Sequence, residues 1–229
     1  AGSIATLQSV NNNVTPFEIR VLPNAPINAD VIFKLTYSDP LTNYSAFEYI
    51  SVRVNKDYMD LAVNNLHTTI TSRGSIGYNA DYATDGLGIS FNNSGSQIYA
   101  SGFMLGSNGQ VADNVYADVI PGYDNNFTRI DAVREIENSS AGEKEIVSKF
   151  STNAAGSQPL SVRQRAYASS EGELANHVVI EYTVKNIGNA VASDVFGGIF
   201  TDWDIQNSGS NVCTWDAARK MVYAYDASQ

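Results

Sequence analysis

The side chains that could do chemistry in this chain are few, and their spacing decides between hydrolysis and oxygen coordination. Hydrolytic catalysis needs a nucleophile, a base and an orienting acid, with histidine the usual base. Only His67 and His177 exist. Asn65-Leu66-His67-Thr68 reads as a plain strand entry, and His177 opens an alternating strand on its polar side, so both read as ordinary surface or edge histidines. No serine lies in Gly-x-Ser-x-Gly, and Gly209-Ser210-Asn211 lacks the strand-to-helix setting of a nucleophile elbow. Phosphate-loop and dinucleotide fingerprints are missing as well. The single cysteine, Cys213, has no flanking signature, reads as a small packed hydrophobe, and excludes an intramolecular disulfide.

Oxygen chemistry is the better prospect. A hard cation such as calcium takes about six to eight oxygen ligands, and Asp202-Trp203-Asp204 is the densest cluster that could begin such a set. In an extended segment Asp202 and Asp204 share one face, where two carboxylates repel unless a cation, a base or water lies between them. Asp216 follows a loop and can join them. These three are the candidate calcium ligands; the plainer reading is a solvated acidic strand end, and no EF-hand spacing is present. Asp81, Asp85 and Asp124-Asn125-Asn126 read as turn formers. Trp203 and Trp215, beside Asp and Asn groups, are the candidate ligand residues for a polysaccharide, because sugar faces stack on aromatic rings. Against that, aromatic residues are common in strands and mostly fill cores.

The elements that must position these residues are strands. Phe17, Ile19 and Val21 alternate with Glu18 and Arg20; Val31, Phe33, Leu35 and Tyr37 alternate with polar neighbours; Ile50, Val52 and Val54 follow after the Ser38-Asp39-Pro40 turn. Pro23-Asn24-Ala25-Pro26 cannot sit in a central strand and marks a loop. Three strands are too few for a complete Ig-like domain, which takes about seven, so residues 1–57 read as a partial Ig-like β module. The charged, turn-like Asn55–Asp60 segment marks the boundary.

Residues 58–229 read as a larger antiparallel β-sandwich, with short strands at Thr68–Ser72, Gly86–Phe91, Ile98–Leu105, Asn114–Ile120, Thr128–Ile136, Glu145–Phe150, Leu160–Ala168, His177–Lys185, Val195–Ile199 and Met221–Tyr225. The only helical hint is Asp216–Lys220. The fold class expected is therefore all-β.

Composition bounds the partners. Fourteen Lys and Arg against twenty-four Asp and Glu give a net charge of −10, which repels phosphate backbones and argues against a nucleic-acid partner. The acidity is concentrated: residues 1–57 hold five acids and four bases, leaving nineteen acids and ten bases beyond. No apolar run approaches the ~20 residues of a membrane span. Few basic residues, one cysteine and many Gly, Asn, Ser and Thr suit a secreted or cell-surface bacterial protein.

One stretch carries a family likeness. Val179-Ile180-Glu181-Tyr182-Thr183-Val184-Lys185-Asn186-Ile187-Gly188, followed by Thr201-Asp202-Trp203-Asp204-Ile205, resembles the region downstream of the catalytic domain in secreted subtilisin-like serine peptidases of Bacteroidetes-type bacteria. Thr69–Gly74, Gly77–Asn79, Gly102–Gly106, Val111–Val115 and Tyr223–Asp226 follow a similar order. The resemblance implies location and parentage: a non-catalytic accessory region, acting as spacer, stabiliser or substrate exosite, whose partners are the rest of the parent polypeptide and a protein substrate. The peptidase's own Asp, His and Ser motifs are expected upstream, and both ends read as boundaries within a longer chain. The alternative is a carbohydrate-binding or surface-adhesion module. Neither reading assigns catalytic residues to this chain, and no cofactor other than calcium is implied.

Overall fold

Alternating apolar and polar residues, rich in β-branched and aromatic types, fold here into fifteen strands and two short 3-10 turns, with no α-helix among the described residues. The computed structural model describes residues 8–9, 11, 13–22, 24–79, 85–115, 125–153 and 156–228. Every pairing among the described residues is antiparallel. The chain divides into two compact units, residues 1–55 and 56–229. No helix among the described residues is long and apolar enough to cross a membrane.

In the first unit, β1 (Ala29–Asp39) and β2 (Tyr44–Val54) form one hairpin in unbroken register, Ala29 opposite Val54 and Asp39 opposite Tyr44. Its turn is built by Asp39, whose carboxylate accepts the Leu41 N–H at 2.9 Å and the Thr42 hydroxyl at 2.8 Å, and by Asn43 in the left-handed region at φ 53°. Asp30 and Arg53 sit opposite each other and share two 2.9 Å bonds. The strand expected at Phe17–Val21 does not form. That segment is irregular and Phe17 is 77% exposed, because an alternating pattern makes a strand only where a partner edge is available. Among the described residues the first unit is thus a two-stranded hairpin, not three strands.

The second unit is a β-sandwich. One sheet has seven strands: β3 (Tyr58–Leu61), β4 (Leu66–Thr71), β5 (Ser75–Ile76), β6 (Ile89–Phe91), β7 (Ile98–Ser107), β8 (Gln110–Ala112) and β13 (Phe196–Trp203). Its order is β13-β7-β5-β4-β3, with β6 on β4 and β8 on β7. The other has four, in the order β12-β11-β10-β9: β9 (Phe127–Glu135), β10 (Lys144–Thr152), β11 (Leu160–Ala168) and β12 (Val179–Asn186). A last hairpin pairs β14 (Asn211–Asp216) with β15 (Met221–Asp226). Asn114 and Val115, placed in a strand by the sequence, lie outside one, and residues 116–120 of that segment are outside the described residues.

The two sheets bury two apolar clusters between them. Phe103 and Leu105 of β7 meet Phe127, Phe150, Leu160 and Val162, with Phe127 and Phe150 at 4.6 Å between centroids. Tyr182 of β12 stacks on Phe103 at 4.0 Å and 14°. Leu61 and Ile70 meet Val133, Ile146, Ala166 and Ala168 in the second cluster. Along the inner faces, Ser148 separates Ile146 from Phe150 and Gln164 separates Val162 from Ala166, so a polar seam divides the clusters. There Gln164, fully buried, donates to the Thr71 carbonyl at 3.2 Å and to the Ser148 hydroxyl at 3.4 Å, while that hydroxyl also donates to the Thr71 carbonyl at 3.3 Å.

A buried charge pins the start of the sandwich. Asp57 is 1% exposed, lies 3.6 Å from the Arg73 guanidinium and accepts the Asn79 amide at 3.4 Å. The sequence gives this segment a boundary turn; β3 begins immediately after it. Asn64 ties β4 to the 3-10 turn Gly172–Asn176, donating to the carbonyls of Leu174 at 2.6 Å and His177 at 2.7 Å.

Candidate functional site

The segment from Thr201 to Asp226 contains every residue singled out for calcium or sugar binding. β13 runs beside β7 to Asp202, opposite Ala100, and then slips register so that Trp203 faces Ile98. The extra residue of this bulge is Tyr99 of β7, so β13 keeps its alternation: Asp202 and Asp204 are both exposed and Trp203 between them is half-buried. Asp204 lies beyond the strand, where its N–H donates to the Gln97 carbonyl at 2.9 Å.

Two side chains close the loop that follows. Asn211 accepts the Ile205 N–H at 2.8 Å and returns its amide to the Ile205 carbonyl at 2.8 Å and the Asn207 carbonyl at 3.0 Å. Asp226, 7% exposed, accepts the Ser210 hydroxyl, the Ser228 hydroxyl at 2.7 Å, the Ser228 N–H at 2.9 Å and the Asn207 N–H at 3.3 Å. Four donors aimed at one carboxylate favour its ionised form. The Ser210 and Ser228 hydroxyls, ahead of burial that works the other way, hold the Asp226 carboxyl well below the usual carboxylate range.

The expected ligands are not gathered. Asp202 and Asp204 are exposed, whereas Asp216 makes the β14–β15 turn: one oxygen accepts the Ala218 and Arg219 N–H groups at 2.9 Å each, and the other pairs with the Arg219 guanidinium at 2.5 Å. Those Arg219 contacts lower the Asp216 pKa. Among the described residues no set of three or more His, Cys, Asp or Glu side chains is grouped to hold a metal ion. Asp81 and Asp124 lie outside the described residues; the Asp85 carbonyl accepts the Asn79 N–H at 2.8 Å, and Asn125 accepts Arg73 at 2.8 Å.

The two tryptophans are placed differently. Trp203 is half-buried at the end of β13, and Trp215 is 57% exposed in β14. Cys213, expected to pack, is exposed in the same strand. The reason is the hairpin itself. In its register Trp215 faces Val222 and Cys213 faces Ala224, so these share one side of the ribbon, while Val212, Met221, Tyr223 and Tyr225 occupy the other. Val222 is 65% exposed, and Tyr223 and Tyr225, stacked at 6.0 Å and 25°, are 43% and 45% exposed. Apolar side chains thus stand uncovered on both faces. His67 lies within β4 opposite Ser90, and His177 is exposed with Nδ1 2.5 Å from the Glu173 carbonyl oxygen. The two-faced hairpin escaped sequence reasoning because Asn211–Asp216 follows Asn-Ser-Gly-Ser and reads as loop; its one legible signal was the Val-Cys-Thr-Trp alternation.

No family model, curated protein or solved structure matches the chain.

Proposed function

We propose that the chain is a non-catalytic, extracellular accessory region of a secreted subtilisin-like serine peptidase, serving as a spacer, stabiliser or substrate exosite through surfaces that other polypeptide covers. The observation that carries this reading is the β14–β15 hairpin, apolar on both faces. A two-stranded sheet is marginal by itself, and contiguous exposed apolar surface of this kind is characteristic of protein contacts. The peptidase parentage rests on the order of motifs from Thr69 to Asp226.

The test has two arms. The purified chain is incubated with casein, with and without a serine-directed inhibitor, and is titrated with the catalytic domain of its own polypeptide while Trp215 fluorescence and domain melting are followed. No cleavage, together with a fluorescence change and a raised melting temperature, is the expected result. Inhibitor-sensitive cleavage by the chain alone overturns the reading.

A second reading, a carbohydrate-binding or surface-adhesion module, is favoured by the exposed rings of Trp215 and of the stacked Tyr223–Tyr225 pair. It requires that tryptophan fluorescence respond to polysaccharide; silence across a glycan array removes it.

A further inference from the structure

Among the described residues the inner face of the sandwich is not covered to its end. Ile199 of β13 stands opposite Phe103 of β7, so the two side chains share the inner face, yet Phe103 is 4% exposed and Ile199 52%. The facing sheet stops at β12, where Val184 is 37% exposed although it shares a face with the core-packed Ile180 and Tyr182. A cleft of about 260 Å³ remains between the sheets, lined by Ile76, Ile89, Ile180, Tyr182, Ile199 and Thr68 among others. The hydroxyls of Thr68 and Tyr182 are buried and have no hydrogen-bond partner. Along the rim, the free edge of β12 is eight residues long, with no proline and no slip in its register with β11. No described strand pairs with that edge. A regular edge beside an uncovered apolar face is a template for one more strand, and its charged Glu181 and Lys185 restrict which strand that can be.

We propose that this strand is β12 of a second copy, and that two chains pair β12 to β12, antiparallel about Thr183, into one continuous eight-stranded sheet. The strand is complementary to itself in that register. With Thr183 opposite Thr183, Glu181 of each copy faces Lys185 of the other on the outer side, and Tyr182 faces Val184 on the inner side. Opposite charges, threonine pairs and aromatic with β-branched pairs are each favourable across strands. Centring the pair on Tyr182 or on Val184 instead leaves both charges opposite uncharged residues. Glu181 and Lys185 are exposed, and Glu181 uses one oxygen on Arg165 at 2.9 Å, leaving the other for the second copy. The contact is isologous, so it closes at two copies instead of growing into a fibre.

Sedimentation velocity of the full chain over a concentration series tests this at physiological ionic strength, where the screening length is about 8 Å. Wild type is expected to form a reversible dimer. K185E sets like charges opposite each other twice in the dimer and weakens it roughly tenfold; E181K/K185E restores the pairs and regains the affinity. Opposite Cα atoms in an antiparallel pair are about 4.5–5.5 Å apart, within disulfide reach. T183C in a C213S background therefore cross-links on oxidation, and C213S alone does not. Circular dichroism confirms that each variant is folded; should E181K/K185E not fold, T183C decides. A wild type that sediments as a monomer throughout, a K185E dimer as tight as wild type, or a T183C chain that does not cross-link overturns the proposal.

Discussion

Asp226 organises the end of the chain, and its chemistry sets a pH limit. Its carboxyl is acidified by the Ser210 and Ser228 hydroxyls, and Glu145 is shifted the same way, first by Arg165 at 2.6 Å and then by the Ser139 hydroxyl at 2.5 Å. A carboxyl whose pKa is lower in the folded state adds stability above the unfolded value, roughly 3.9 for Asp and 4.3 for Glu, and that stability is lost as pH falls toward the folded value. The melting temperature is expected to drop steeply below about pH 4. D226N should lower it at neutral pH and flatten the acid limb; an acid limb parallel to wild type would remove Asp226 from this account. Asp57 gives a second test. D57A leaves the Arg73 guanidinium, whose side chain is 13% exposed, without its buried counter-ion, and should cost about 3 kcal/mol in urea unfolding. A loss under about 1 kcal/mol, the range of an exposed pair, would show that the pair is solvated. Asp57 was illegible as a core residue because a local window sees only Lys-Asp-Tyr, while its partners Arg73 and Asn79 come from later in the chain. Asparagine marks turns more locally: seven of the 23, Asn28, Asn43, Asn55, Asn92, Asn93, Asn108 and Asn138, take left-handed positions.

At the scale of elements, alternation located most of the sandwich. Leu160–Ala168 forms β11 with the bounds expected, and in the strand expected at His177–Lys185 the side chains of Val178, Ile180 and Tyr182 pack against the core, while Val184 on the same face is 37% exposed. The sequence missed β3, β5, β8 and β14, short strands defined by what they pair with more than by their own pattern. It also placed a helical hint at Asp216–Lys220, where Asp216 accepts two loop N–H groups and Lys220 takes φ 52° to turn the chain into β15. Gly88 shows a different constraint. At φ 67° it passes so close to Ser96 that a Cβ would fall 1.9 Å from the hydroxyl, a close approach that nothing in Gly-Leu-Gly announces. The β14–β15 hairpin yields a prediction of its own. Trp215 and Val222 are 57% and 65% exposed, so W215S/V222S should reduce binding of a hydrophobic dye while shifting stability by no more than about 0.5 kcal/mol per site. A large loss of stability would mean that the pair is packed in solution.

For the whole molecule, the polar seam is the feature with the widest reach. Thr71, Ser148 and Gln164 interrupt what would otherwise be one greasy slab, and the Gln164 side-chain oxygen has no partner there. The hydrogen bonds are long and their net contribution small, about 1 kcal/mol or less each. Q164L is therefore expected to stay within about 1 kcal/mol of wild type in denaturant unfolding, yet to broaden amide signals and lower hydrogen-exchange protection along β10 and β11; unchanged spectra would refute this. The seam then acts as a key in a keyway. Two apolar sheets can seat against each other at several offsets of nearly equal energy, but only one offset brings a glutamine amide to the Thr71 carbonyl. A lineage selected for heat resistance alone would discard the key; one that must hold a fixed geometry for a neighbour has reason to keep it.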